Sequence, residues 1–153
     1  MLYVDTSVIV KLYIKEEHSL DVSNWLKENN EAIPLTTFHE LEFNNAINLK
    51  EFRTEITTDE IRLIMARFAE HESKGVFYRP QISWTDTFKY AVDLSRKHTS
   101  KTGSRALDIL HVASALSIKA HRFLTFDERQ SKLAALSGMR IETLEASRAS
   151  GRP

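Results

Sequence analysis

No cysteine occurs among the 153 residues, which removes disulfides, thiolate zinc sites and cysteine nucleophiles at once. Any metal would have to sit on oxygen or imidazole, and the chain suits a reducing cytosol. Net charge is missing as well. The 21 lysines and arginines balance 21 aspartates and glutamates, so no global field draws in a polyanion and a nucleic-acid role needs a local basic patch. No uncharged apolar run approaches the roughly 20 residues of a spanning helix. The apolar N-terminus is interrupted by Asp5 and has no basic region ahead of it, unlike a signal peptide. A soluble, cytoplasmic protein with no membrane partner is the expectation. Repeats and low-complexity segments are also lacking, and the aromatic residues form no paired platform on which single-stranded bases would stack.

What is present suits one globular domain: 42% apolar residues in a chain long enough to bury a core. The expected domain spans residues 1–146, and the tail 147–153 has too little apolar content to order itself. The most informative stretch is Arg105-Ala-Leu-Asp-Ile-Leu-His-Val-Ala-Ser-Ala-Leu116, apolar on almost every side at helical spacing except at Asp108. A buried helix does not tolerate an isolated ionised acid, so Asp108 must be neutralised, capped or bound to a cation.

Strand and helix patterns alternate along the whole chain. Leu2-Tyr3-Val4 reads as a strand ending on Asp5, followed by a helix over Val8, Leu12 and Tyr13. Helices are predicted from Ser19 to about Asn30 and from a Thr37-x-x-Glu40 capping box to Phe52, with Ala32-Ile-Pro-Leu35 as an edge or irregular strand between them. On the latter helix Glu42 projects among Phe38, Ala46 and Leu49, on the core side. A helix follows from Thr57-x-x-Glu60 to a stop at Gly75, then a strand at Val76-Phe-Tyr78. The next helix starts at Ser83-x-x-Asp86 with Trp84, Phe88, Ala91 and Val92 inward, and the basic segment from Arg96 to Arg105 reads as a loop. Phe123 to Phe126 forms a strand running into Asp127, with a helix to Leu136 and a last strand over residues 139–143. The pattern predicts a mostly parallel sheet with helices on both faces, whose functional groups lie at the carboxyl ends of its strands.

Each acid has an ordinary explanation. Asp5 and Asp127 can cap the helices that follow them, Asp127 with Gln130 as its box partner, Asp108 can favour a first helical turn, and Glu42 can pair with a lysine. Together, two strand-end acids and two inward helix acids can converge at one sheet edge. Four carboxylates there repel one another unless divalent cations bind, and all-oxygen ligation selects Mg²⁺ or Mn²⁺. His111, one turn beyond Asp108, and His39 are read as hydrogen-bonded core and helix-start residues.

Leu-Tyr-Val-Asp5-Thr-Ser, Thr-Thr-Phe-His-Glu-Leu-Glu42-Phe-Asn-Asn-Ala, Arg-Ala-Leu-Asp108-Ile-Leu-His-Val-Ala-Ser-Ala and Leu-Thr-Phe-Asp127-Glu-Arg-Gln resemble, in order and spacing, the PIN-domain ribonucleases, most closely the VapC-type toxins of toxin–antitoxin pairs. The resemblance covers about residues 1–143. It implies a three-layer α/β/α fold with a five-stranded parallel sheet, and Mg²⁺ or Mn²⁺ held by Asp5, Glu42, Asp108 and Asp127. It further implies supporting hydroxyls at Thr6, Ser7 and Thr125, an RNA substrate cut to leave a 5′-phosphate, a homodimer and an antitoxin partner. Arg96, Lys97, Lys101 and Arg105 are the candidate contacts to RNA phosphates. The alternative is a nuclease-inactive PIN-like module that binds RNA or a partner. A haloacid dehalogenase-like phosphatase is disfavoured because Ser7 stands where it needs a second aspartate.

Overall fold

The computed structural model describes residues 1–144; the expected tail 147–153 lies outside the described residues. The apolar run Leu2–Val4 forms a fully buried strand, β1, paired in parallel with Arg122–Leu124, here β4, which in turn pairs in parallel with Arg140–Glu142, here β5. Side chains alternate across the strands. Leu2, Val4 and Leu124 therefore enter one core while Tyr3 and Phe123 enter another. The first core collects apolar residues from helices Thr6–Val10 (α1), Ser19–Glu28 (α2), Thr37–Phe52 (α3) and Thr58–Ser73 (α4). The second collects them from Trp84–Thr102 (α5), Ala106–Ser117 (α6) and Glu128–Leu136 (α7). Helices thus cover both faces, giving the three-layer α/β/α architecture.

The sheet comes in two pieces rather than one. Ile33–Pro34 (β2) pairs in parallel with Phe77–Tyr78 (β3), and β2 lies beside β1 without a ladder between them. The cause is local. Ile33 and Leu35 donate their N–H groups toward β3, to the carbonyls of Val76 and Tyr78, so Pro34 is the residue turned to β1 and has no N–H to offer. His39 fills the break: the Thr36 N–H donates to its Nδ1 at 3.0 Å, and its Nε2 donates to the Val4 carbonyl at 2.9 Å. Burial first, and the neighbouring His111 second, push His39 down to about 3, so the ring stays neutral, as that bridge requires. With β2 on one side of β1 and β4 on the other, the chain leaves β1 in opposite directions, and a crevice opens at the carboxyl ends of the strands.

Two helices depart from the sequence pattern. The N-cap of α3 is Thr36, one residue earlier than expected, and His39 rather than Glu40 completes the capping box; Glu40 instead pairs with Arg79 at 2.7 Å. Helix α5 continues through most of the segment read as a loop, ending at Thr102 with Gly103 in the left-handed conformation at φ 65°. Arginine, lysine and histidine are acceptable helix residues, and the register of α5 is fixed by its contact with α6. That register turns Thr87, Ala91 and Leu94 inward, with Thr87 Oγ1 donating to Ser117 Oγ at 2.8 Å. Phe88 and Val92, expected inside, are 56% and 47% exposed. The buried helix α6 is as predicted, solvent-excluded from Asp108 to Ala115. Among the described residues, no helix is long and apolar enough to cross a membrane.

Candidate metal centre

Asp5 is fixed by β1, because its N–H continues the ladder to the Leu124 carbonyl at 2.9 Å, while its own carbonyl starts α1 by accepting from Val8 and Ile9. Its carboxylate makes no cap bond, so the ordinary explanation fails for this residue. Instead Oδ2 accepts from Ser7 Oγ at 2.6 Å and Thr125 Oγ1 at 3.1 Å, and Oδ1 lies 3.1 Å from His111 Nε2. Glu42, brought in by α3, accepts from Thr6 Oγ1 at 2.7 Å and lies 2.6 Å from the same His111 nitrogen, both through Oε2. All three hydroxyls singled out in the sequence therefore serve these acids, Thr125 also accepting from the Asp127 N–H at 3.0 Å.

The other two acids are partly explained by capping. Asp108 sits at the third position of α6 and accepts from the Arg105 N–H at 2.9 Å, and the Arg105 guanidinium reaches back to both of its oxygens at 3.1 and 3.4 Å. Burial pushes the Asp108 carboxyl up, but the Arg105 side chain and N–H outweigh this and hold it below the ordinary carboxylate range. Asp127 caps α7, accepting from the N–H groups of Arg129 and Gln130 through Oδ1, while Oδ2 is 3.7 Å from Arg105. Gln130 does not complete a capping box: its amide nitrogen turns to Asp108 Oδ1 at 3.4 Å, and its Oε1 is buried without a hydrogen-bond partner.

Asp5, Glu42, Asp108 and Asp127 all line one cleft of about 650 Å³, together with Thr6, Ser7, Arg105 and His111. Arg96, Lys97 and Lys101 do not line it. They lie exposed on α5, where Arg96 approaches Asp93 at 4.0 Å. His111 is buried core, as its position on α6 indicated, but it meets the acids themselves, hydrogen-bonded to Glu42 and 3.1 Å from Asp5. The three-residue spacing from Asp108 placed it on the same helix face and was the available signal. Gln130 gave no signal of its own, since its side chain was assigned to capping. The four carboxylates are not bare, which lessens their expected repulsion: Arg105 lies between Asp108 and Asp127, and His111 lies between Asp5 and Glu42.

The residues fit a hard divalent cation. A carboxylate oxygen of Asp5 and one of Glu42 lie within 4.8 Å of each other and of a His111 ring nitrogen, the other acids of the cleft add only carboxylate oxygens, and the unpartnered Gln130 Oε1 belongs to the same cleft.

Comparison with known proteins agrees with this architecture. Similar solved folds include a chain from the crystal structure of FitAcB from Neisseria gonorrhoeae, with a TM-score of 0.67 and 15% identity, covering 94% of this chain and 97% of that one. Another is a chain of VapBC2 from Rickettsia felis, crystallised bound to a DNA fragment from its promoter, with a TM-score of 0.63 and 15% identity, covering 93% and 98%. No curated protein sequence matches. The PIN domain family model matches residues 2–136, and the chain belongs to the PIN domain family.

Proposed function

We propose that this cleft hydrolyses RNA phosphodiester bonds with Mg²⁺ or Mn²⁺, and that the protein is the VapC-type toxin of a toxin–antitoxin pair, acting in the cytoplasm as a homodimer restrained by an antitoxin. The observation that carries the reading is the convergence of four acids from four separate segments at the carboxyl ends of β1 and β4. The family and the likeness to chains of FitAcB and VapBC2 support it.

Asp5 and Asp108 are the central ligands in this reading, with Glu42 and Asp127 completing the shell directly or through water. A bound divalent cation supplies Lewis acidity at the phosphoryl oxygens and eases deprotonation of water. Ser7 and Thr125 fix the Asp5 carboxylate, and Thr6 fixes Glu42, so the ligand set is held before substrate arrives. Asp127 or Glu42, the two more accessible acids, takes the proton of the attacking water. Arg105 is two-thirds exposed at the cleft and offers a guanidinium fork to a phosphate, while Arg96, Lys97 and Lys101 extend positive charge along α5.

The test is cleavage of structured and unstructured RNAs by purified protein with Mg²⁺, with Mn²⁺ and with chelator, beside Asp5→Asn. Cation-dependent cleavage lost in the variant is expected; cleavage that survives chelation contradicts the proposal. One observation favours a second reading, a nuclease-inactive module that binds RNA or a partner: the Arg105 guanidinium and the His111 Nε2 already face the acids in pairs, which eases their repulsion without a cation. RNA retained without being cut, equally with and without chelator, would support that reading.

A further inference from the structure

A buried hydrogen-bonded chain runs behind the cleft and ties its first two acids together. Tyr3 is fully buried on β1, stacked on Phe123 with ring centroids 5.3 Å apart, and its hydroxyl lies 2.9 Å from His111 Nδ1. At the other end of the imidazole, Nε2 is 2.6 Å from Glu42 Oε2 and 3.1 Å from Asp5 Oδ1. Two carboxylate oxygens at those distances require a hydrogen on Nε2, because a bare nitrogen lone pair would repel both. The Tyr3 hydroxyl pairs with Nδ1 in either state of the ring, donating to it when the imidazole is neutral and accepting from it when it is protonated. The ring cannot turn away, since Phe38 and His39 pack against it at centroid distances of 4.6 and 5.6 Å.

Asp5 and Glu42 come from different elements, a strand end and the middle of a helix. The His111 Nε2 stands between them, hydrogen-bonded to Glu42 and in close charge contact with Asp5, and that contact sets their separation. It takes up Glu42 Oε2 together with Thr6, leaving Oε1 without a hydrogen-bond partner among the described residues. We propose that His111, held by Tyr3, is a positioning residue that fixes the Asp5–Glu42 gap and so determines how tightly the cleft holds a hard divalent cation, without itself entering the ligand shell. The inference rests on the reading of the cleft as a divalent-cation site. It makes Tyr3, two residues before Asp5 on the same strand, part of the metal centre although it lies outside the cleft lining. Outer partners that orient carboxylate ligands act in this way, and their loss weakens metal binding on the order of 10- to 100-fold.

The experiment uses the full chain and Mn²⁺ as probe, with electron paramagnetic resonance reporting both affinity and nitrogen coupling. His111→Gln is expected to weaken Mn²⁺ binding about tenfold. Tyr3→Phe, which removes only the hydroxyl, should weaken it in the same direction by a smaller factor while circular dichroism and cooperative melting persist. In the wild type the Mn²⁺ spectrum should lack the strong nitrogen coupling of a directly bound imidazole. If that coupling appears, His111 is a ligand and the proposal is overturned. Unchanged affinity in the variants, with Mn²⁺ bound to the wild type, overturns the proposal and leaves the metal centre intact. A wild type that binds no Mn²⁺ removes the metal centre and the proposal with it. Should His111→Gln not fold, Tyr3→Phe decides the matter alone.

Discussion

Asp5 and His39 sit in the same part of the structure and respond to mutation for different reasons. Asp5 has no capping bond to lose, but its buried carboxylate faces the donors of Ser7, Thr125 and His111, so Asp5→Asn should lower the melting temperature by a few degrees without preventing folding. The substitution turns an amide N–H group toward one of those donors and removes one charge from the proposed ligand set. Cation-dependent RNA cleavage should fall by about a hundredfold or more, and a variant retaining wild-type rates would exclude Asp5 from the site. His39 carries a stability consequence. With a folded value near 3 against an ordinary 6.5, the unfolded chain binds a proton between those values that the folded chain does not. Stability should therefore fall as pH drops from about 6.5 toward 3, with this residue contributing up to roughly 1.4 kcal/mol per pH unit. Asp108, held low by Arg105, adds a loss of the same sign at lower pH, below the ordinary carboxylate value. His111 works in the other direction: burial opposes its charge, but the Glu42 hydrogen bond and the charges of Asp5, Glu42 and Asp108 raise it. Its contribution is full below about 6.5 and is lost as pH rises through its folded value. Urea unfolding from pH 7 to 4 measures the His39 effect, and His39→Gln should flatten the slope by about one proton. Identical slopes in the two proteins would refute it. At this scale the sequence was legible where a residue type is costly to bury. Glu42 and Asp108 stood out because acids do not belong in apolar faces, and Asp5 because it ends an apolar strand. The groups that face them did not stand out, because Arg105 looked like a basic loop residue and His111 like an ordinary core histidine, and only the three-dimensional meeting of β1, α3, α6 and α7 pairs them.

Helix ends decide how the elements deliver those residues. Gly103 stops α5 two residues before Arg105, at a φ of 65° that an L-residue adopts with strain. Nothing lies within 4 Å of an added Cβ there, so Gly103→Ala carries only the backbone cost, about 1 kcal/mol, read as a lower urea midpoint with cleavage preserved. A change several times larger would mean that the turn from α5 into α6 is more constrained than its open surroundings indicate. The length of α5 was not legible from composition. Its basic half buries little, and its register is imposed by α6 through Thr87, Ala91 and Leu94 rather than by its own pattern. The divided sheet was half legible. Pro34 marked β2 as irregular, but the filling of the gap by His39 depends on a helix whose true cap, Thr36, lies one residue before the apparent one.

For the whole molecule, the α/β/α layering followed from alternating patterns that each satisfy one face of the sheet, and the structure keeps it with helices on both sides of β1 and β4. A cation that binds only the folded cleft must stabilise the entire domain. At a hundredfold excess over Kd the gain is about 2.7 kcal/mol, which for a chain of this size raises the melting temperature by about 5–10 °C. Thermal melts with Mn²⁺ should show this rise in the wild type and not in Asp5→Asn, with chelator reversing it. Equal rises in both would place the cation elsewhere. In the proposed reaction the cleft drives water, rather than a ribose hydroxyl, against the phosphodiester. The chemistry of the RNA ends left by the purified protein in Mg²⁺ tests it most directly. Products carrying 5′-phosphate and 3′-hydroxyl ends are the predicted result; 2′,3′-cyclic phosphates with 5′-hydroxyl ends, or intact RNA, would contradict it.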